Sequence, residues 1–139
     1  MNCFKKLFLI SVFLGGLIIP CFSVRAEDIA ISENTVLDHD ISGYAFISEN
    51  NITLDCNGHS ISNGLTLMGR TKITVKNCKI SSNLGGIIVI NSSDNFFIGN
   101  EISSVNPDST GVIFVCSYNN TFAENTISNN KTGIGMIVS

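Results

Sequence analysis

Four basic side chains fall within ten residues of the sequence and are the best candidates for contact with a charged partner. They are Arg70, Lys72, Lys76 and Lys79. Lys72 and Lys76 alternate with Thr74, so all three share the outward face if this segment is a β-strand. Such cations can bind the carboxylates of an acidic polysaccharide or neutralise a uronate in a lyase reaction. The alternative is a solvated outer face that discourages aggregation between sheet edges.

The carboxylates do not form the pair that glycoside hydrolysis requires. A hydrolase uses two carboxyl groups at a defined separation across the scissile bond. Asp55 and Asp94 are far apart in the sequence, and each lies beside a turn, where aspartate commonly bonds to the backbone. The sequence therefore predicts no catalytic residues, and an enzymatic function is uncertain.

Metal ligands are sparse. The two histidines, His39 and His59, form no His-x-His pair, and Met68 and Met136 lie in different repeats, so no copper site is visible. There is neither a Cys-x-x-Cys spacing for zinc nor an acidic cluster for calcium. The sequence predicts no metal site and no cofactor.

These residues lie in a repeat that runs from Asn51 to Ser139. Between these residues the phrase Ile-Ser occurs four times, and after each copy a glycine opens a short apolar run. The glycines, spaced by 22, 25 and 22 residues, are Gly64, Gly86, Gly111 and Gly133. A period of this length indicates stacked supersecondary units. Three short strand-like runs per repeat, separated by Asn, Gly and Ser, predict an all-β fold, a parallel β-helix of about four coils.

One polar position recurs two residues before the repeated isoleucine. It is occupied by Cys78, Asn100 and Asn125. An asparagine amide at a bend can donate to one backbone group and accept from another, and stacked copies can bond along the helix axis as a structural ladder. Cys78 is a small substitute that interrupts this ladder. The alternative is a row of asparagines that forms a ligand surface.

Three cysteines follow residue 26, namely Cys56, Cys78 and Cys116. Cys56 and Cys78 are about one repeat apart, and stacked coils lie about 4.8 Å apart, which is within reach of a disulfide. The interpretation that the sequence favours is a buried thiol that fills a small interior slot.

The N-terminal segment has the three parts of a secretory signal. Lys5 and Lys6 precede an apolar run from Leu7 to Phe22, and Ala26 supplies the small residue at a cleavage position. We expect a signal peptide over residues 1–26, cleaved after Ala26, and a secreted or periplasmic protein. Contact with a membrane is expected only if the signal stays uncleaved.

The remaining chain divides at Asn51. Residues 27–50 match the repeat poorly and are expected to form an N-terminal cap or an irregular first coil, whereas residues 51–139 hold the β-helix repeats. Without residues 1–26 the chain has five basic residues against eleven acidic ones, a net charge of about −6. This charge argues against a nucleic-acid partner, whose phosphates require a basic face.

The phrase Asn51-Ile-Thr-Leu-Asp-Cys-Asn-Gly-His-Ser-Ile-Ser62, with the later Asn-x-Ile-Ser and Gly-Ile-x-x phrases, resembles right-handed parallel β-helix repeat proteins. That group includes NosD-like periplasmic proteins and the carbohydrate-binding and sugar-hydrolase (CASH) domains of the pectate-lyase-like superfamily. The resemblance covers about Val36 to Ser139 and implies a right-handed, single-stranded parallel β-helix. Pectinase-type members carry clustered aspartates with Gly-His-Gly and Arg-x-Lys, whereas this chain has Gly58-His59-Ser60 and no paired aspartates.

Three functions remain open. The first is a secreted, non-catalytic β-helix module that binds a polysaccharide or a surface partner. The second is a truncated fragment of a polysaccharide lyase or hydrolase, and the third is a structural remnant without activity. The run from Gly133 to Ser139 is apolar and lacks a polar closing loop, and open edges of stacked strands promote association. We therefore expect self-association through the open C-terminal coil, or further coils in relatives.

Overall fold

A computed structural model describes residues 27–137 and the two short segments 13–14 and 17–18. Those short segments form an antiparallel pair, β1 (Phe13–Leu14) and β2 (Leu17–Ile18). Apart from them, the predicted signal peptide and its cleavage position lie outside the described residues. None of the described segments contains a helix of the length and hydropathy needed to cross a membrane.

Residues 27–137 fold into fifteen strands, which form three parallel sheets. Sheet I contains β4 (Thr35–Val36), β6 (Thr53–Asp55), β9 (Thr74–Lys76), β12 (Phe96–Ile98) and β15 (Thr121–Ala123). Sheet II contains β7 (Ser60–Ile61), β10 (Lys79–Ser82), β13 (Glu101–Ser104) and β16 (Thr126–Ser128). Sheet III contains β3 (Ile29–Ile31), β5 (Ala45–Ile47), β8 (Leu65–Met68), β11 (Gly85–Ile90), β14 (Thr110–Val115) and β17 (Thr132–Ile137).

The chain visits sheets I, II and III in that order once per turn, and every strand pairs with its equivalents in the neighbouring turns. Within sheet I, for example, Val75 is in register with Leu54 of the turn before and Phe97 of the turn after. This arrangement is a parallel β-helix, and the predicted fold class is confirmed.

The helix makes about five turns, one more than the four coils predicted over residues 51–139. The additional turn comes from residues 27–50, which contribute β3, β4 and β5 and an isolated bridge from Ile41 to Ile61. Ile31, Ile41 and Ile47 are each followed by serine, as in the later repeat, and they are buried and alternate with more exposed residues. That alternation suffices to place them in register with the next turn.

The core consists of columns of inward-pointing side chains, one column for each repeated inward position. Ile61, Ile80 and Ile102 form such a column behind sheet II, and each is at most 1% exposed. Near the C-terminal end the rings of Phe97 and Phe122 stack with centroids 4.5 Å apart. Because each turn buries its apolar residues against the next, the stability of the fold rests on these contacts between neighbouring turns.

The repeated glycine near the start of the sheet III strands has a steric cause. A Cβ atom at Gly86 would overlap Ile102 Cγ2, and one at Gly111 would lie 2.5 Å from Ile127 Cγ2, whereas Gly133 has nothing within 4 Å of that position. The chain therefore passes so close to the core isoleucines that the middle turns admit only hydrogen at this site.

Most corners of the helix need a residue in the left-handed conformation. At the corner before sheet I this residue is Asn51, Lys72, Asp94 or Asn119 in successive turns, with φ between 54° and 58°. Asparagine and aspartate tolerate this conformation, which explains much of the asparagine in the sequence. Lys72 is the exception in the row.

Cys56 and Cys78 are joined by a disulfide, with their Cα atoms 4.7 Å apart. The sequence-based preference for separate buried thiols is therefore wrong. Both cysteines are at most 1% exposed, and the bond links two consecutive turns inside the core. By the chain-entropy argument, closing a loop of this length stabilises the fold by about 3 kcal/mol.

Candidate functional site

The four predicted ligand-binding cations do not share one face. Lys76 points outward from sheet I and Lys79 points outward from sheet II. Lys72 is exposed, but it occupies the left-handed bend before β9, so the prediction that it shares that strand with Lys76 is wrong. Arg70 lies in the corner between β8 and β9, where its Nε atom is buried without a hydrogen-bond partner, the one such side-chain atom among the described residues.

An acid stands beside two of these cations. Lys76 Nζ lies 3.1 Å from Asp55 Oδ2, and Lys79 is in register with Glu101 on the next strand of sheet II. Asp55 also accepts hydrogen bonds from Asn77 Nδ2 at 3.0 Å and from the Asn57 N–H at 2.9 Å. The Asn77 amide, then the Asn57 N–H and Lys76, hold the pKa of the Asp55 carboxyl below its usual value. The surface is thus one of mixed charge.

The outer face of sheet II forms an open groove of about 450 Å³. Its lining includes two straight rows of outward side chains that cross successive turns. The first row is Ser60, Lys79, Glu101 and Thr126, and the second is Ser81, Ser103 and Ser128. Within a row the side chains repeat at about 4.8 Å, and the two rows lie about 7 Å apart because they are two residues apart along each strand.

The groove offers hydrogen-bonding groups in a regular array. Five of the seven side chains in the two rows are hydroxyls, and each hydroxyl can both donate and accept. Lys79 and Glu101 add one cation and one carboxylate in adjacent positions of the first row. A surface of this kind can hold a polymer that repeats its own hydroxyl groups, and its one carboxylate falls short of the pair that glycoside hydrolysis uses.

The repeated Ile-Ser phrase, interpreted from the sequence only as the mark of a repeat, also indicates this groove. The second residue of each Ile-Ser phrase is Ser62, Ser81, Ser103 or Ser128. In each phrase the isoleucine points into the core, so the serine must point outward. The serines of these phrases therefore predict the second row of the groove.

The predicted ladder residues lie immediately before sheet II, in the corner that leads into the groove strands. Asn125 Oδ1 accepts hydrogen bonds from the N–H and from Nδ2 of Asn100, both at 2.9 Å. Asn100 Oδ1 in turn accepts the N–H of Cys78 at 3.0 Å, and Asn100 Nδ2 donates to the Val75 carbonyl. Because Asn100 is 1% exposed, these bonds satisfy buried polar groups and fix the corner.

A second ladder, missed in the sequence, occupies the corner before sheet I. Asn120 Oδ1 accepts from the N–H and Nδ2 of Asn95, and Asn95 Oδ1 accepts the N–H of Ile73 at 2.9 Å. Its spacing of 25 residues equals that between Asn100 and Asn125. This shared spacing is the sequence pattern that indicates the second ladder.

The two histidines lie near aspartates in the first two turns. His39 Nδ1 is 2.5 Å from Asp38 Oδ1, and His59 Nδ1 is 3.3 Å from Asp40 Oδ1. Asp40 also accepts the N–H of Ser60 at 2.8 Å, which with His59 lowers the pKa of its carboxyl. Within the part of the chain that the structure describes, no three His, Cys, Asp or Glu side chains are grouped to hold a metal ion.

The last described turn exposes its inward-facing side chains. Ile134 and Met136 are 45% and 69% exposed and, with Phe114 and Phe122, line a depression of about 240 Å³. This is the surface on which the sequence predicts self-association, and that interaction stays a prediction.

Three parallel sheets wound from one chain, with columns of repeated side chains inside, define the class of β-helix proteins. A family model described as "right handed beta helix region" matches residues 20–139. The chain therefore belongs to the right-handed β-helix family. Comparison with curated proteins gave no match, and comparison with solved structures gave none either.

Proposed function

We propose that this chain is a non-catalytic, exported β-helix module that binds a polysaccharide along the groove of sheet II. The observation that carries the proposal is the pair of straight side-chain rows on that face, in which Ser81, Ser103 and Ser128 repeat at the spacing of the turns. A polymer that lies along the helix axis meets the same group at every turn.

A neutral or weakly charged polysaccharide suits this groove better than a strongly acidic one. Lys79 and Glu101 are neighbours in register, so their charges largely cancel for a ligand that spans both. The net charge of about −6 of the chain without residues 1–26 also repels polyanions at long range. The basic residues Arg70, Lys72 and Lys76, which lie outside the groove lining, are therefore not assigned to the ligand in this proposal.

Two features support export and a role in binding rather than catalysis. A core disulfide such as Cys56–Cys78 persists in oxidising compartments, which include the periplasm and the extracellular space. The groove lining holds one carboxylate, Glu101, beside a lysine. Hydroxyl groups with one lysine and one carboxylate can hold a sugar polymer, but the lining supplies no second carboxyl group for hydrolysis.

A glycan array probed with the exported chain tests the proposal. We expect binding to neutral polysaccharides that requires oligomers of about four or more sugars, because the groove crosses four strands of sheet II spaced about 4.8 Å apart. Affinity should be weak for single sugars, since each exposed hydrogen bond contributes only about 1 kcal/mol. Absence of binding to any glycan, or release of unsaturated uronate products from pectin or alginate, would contradict the proposal.

A further inference from the structure

The outer face of sheet III is apolar, in contrast to the outer faces of sheets I and II. One outward row contains Phe46, Ile88 and Ile113, which are in register through Thr66 of β8. The alternate residues of the same strands, such as Ile87 and Val89, are fully buried, so the row points away from the core.

A second outward row runs parallel to the first. It contains Met68, Ile90 and Val115 in register. Met68 is 58% exposed and Phe46 of the first row is 45% exposed. We call the two rows together the sheet III face.

Within the described strands, neither row of the sheet III face contains a charged side chain. Sheet I by comparison carries Asp55 and Lys76 outward, and sheet II carries Lys79 and Glu101. The largest contiguous apolar patch on a typical monomeric protein covers about 300–600 Å² and is often functional.

We propose that the sheet III face is the interface at which two copies of this chain pack sheet against sheet. A two-fold axis requires a self-complementary surface, and straight uncharged rows on a sheet meet that requirement because no like charges are brought together. A polysaccharide would leave its hydroxyls against isoleucine without hydrogen bonds. An anionic bilayer would be repelled by the net charge of about −6, and the face has no basic flank to attract it.

The extent of the face fits a weak, specific dimer. Six strands about 4.8 Å apart and up to six residues long span roughly 24 by 20 Å, or about 480 Å² before the relief of the side chains is counted. Stable interfaces bury at least about 600 Å² per partner, and smaller areas are typical of weak, transient contacts. The estimated area of the face belongs to the smaller class, so we expect dissociation constants in the micromolar range.

The test is sedimentation velocity of the exported chain from about 1 to about 100 µM, a range that brackets micromolar affinity. We expect a monomer–dimer equilibrium that strengthens with salt, because screening reduces repulsion between two negatively charged copies while apolar contacts persist. A monomer throughout this range overturns the proposal, as does growth into larger assemblies.

Substitutions on the sheet III face test whether the two copies contact each other there. Ile88→Lys with Ile113→Lys should weaken dimerisation by at least about tenfold, because it buries charges at the centre of the interface. Thr66→Lys is a second variant that adds a charge without removing an apolar group from the face. Thr74→Lys, a half-buried outward position on sheet I, is the matched control and should leave the dimer unchanged.

Circular dichroism spectra and thermal midpoints establish that each variant is folded. A dimer that persists in Thr66→Lys and in the double variant overturns the assignment to the sheet III face. Flotation of the wild-type chain with phosphatidylcholine vesicles tests the other occupant of such a face, a lipid surface. Binding to vesicles that is lost in Thr66→Lys also overturns the dimer.

Discussion

The ammonium group of Lys76 lies 3.1 Å from the carboxylate of Asp55, across two neighbouring strands of sheet I. Asp55 is further held by the amide of Asn77 and by the N–H of Asn57. The pair is thus part of a small network that joins two turns, and one of the four cations predicted to bind a ligand already has a partner. We therefore assign ligand binding to the hydroxyl rows of sheet II and not to the basic cluster.

The same network predicts a loss of stability in acid. The pKa of Asp55 is lowered by hydrogen bonds from Asn77 and Asn57 and by Lys76. A carboxyl with a lowered pKa contributes stability that is present above its unfolded value of about 3.9 and is lost as the pH falls through the folded pKa. We expect the urea midpoint to decrease below about pH 4. In Asp55→Asn this decrease should be shallower, and a variant that keeps the full wild-type decrease would show that other groups cause it.

Alanine in place of a repeated glycine should destabilise the protein where the position is crowded, and not in the last turn, where it is open. Gly111→Ala would place a Cβ atom 2.5 Å from Ile127 Cγ2 and 2.8 Å from the Gly133 carbonyl oxygen. Overpacking of this kind costs about 1–3 kcal/mol, so chemical denaturation should show a clear decrease in the free energy of unfolding. Gly133→Ala meets no atom within 4 Å and is the matched control. Equal losses in both variants would contradict the steric explanation.

The asparagine ladder predicts a large cost for a single buried amide. Asn100→Ala leaves the buried Cys78 N–H and Val75 carbonyl without the side chain that bonds to both. An unsatisfied buried polar group costs about 1–3 kcal/mol, so the midpoint of thermal unfolding should fall by several degrees. Asn83→Ala, an exposed asparagine in the corner between β10 and β11, should change it by less than about 0.5 kcal/mol. A comparable loss of stability in Asn83→Ala would contradict a specific stabilising role of the asparagine ladder.

The disulfide predicts a redox dependence of stability. Reduction of Cys56–Cys78, or the double substitution Cys56→Ser with Cys78→Ser, should lower the free energy of unfolding by about 2–4 kcal/mol. Urea unfolding with and without reductant measures the difference. The double variant should no longer respond to reductant, and a wild-type chain indifferent to reductant would argue against a contribution of the bond.

The sequence predicted the fold because every inward position of a β-helix repeats. Ile80, Ile102 and Ile127 fall one repeat apart and fill one column, and Gly86 and Gly111 mark where the chain approaches that column closely. Residues 27–50 were harder to assign, because Ile-Ser occurs three times in this short segment and obscures the period. The copy that aligns with Ile61-Ser62 is Ile41-Ser42.

The candidate site was less predictable, because side-chain direction depends on bends that the residue types do not reveal. Lys72 occupies a left-handed bend that lysine seldom adopts, so nothing in the sequence indicated that it leaves the strand of Lys76. Cys56 and Cys78 have a spacing that suits both separate thiols and a disulfide, and only their facing positions in adjacent turns decide between the two.

The most direct test of the binding proposal removes the hydroxyls from the groove and compares the result with their removal elsewhere. The triple variant Ser81→Ala, Ser103→Ala and Ser128→Ala clears the second row of sheet II. Its control, Thr53→Val, Thr74→Val and Thr121→Val, clears outward hydroxyls of similar exposure from sheet I. Both variants should keep the thermal midpoint of the wild type.

Isothermal titration with the polysaccharide that binds best on the array should give at least about a tenfold weaker affinity for the serine variant, since it lacks three hydrogen-bonding groups of about 0.5–1.5 kcal/mol each. The threonine variant should bind like the wild type. Equal affinity of all three proteins, or a loss confined to the threonine variant, would contradict the assignment of the ligand to the groove of sheet II.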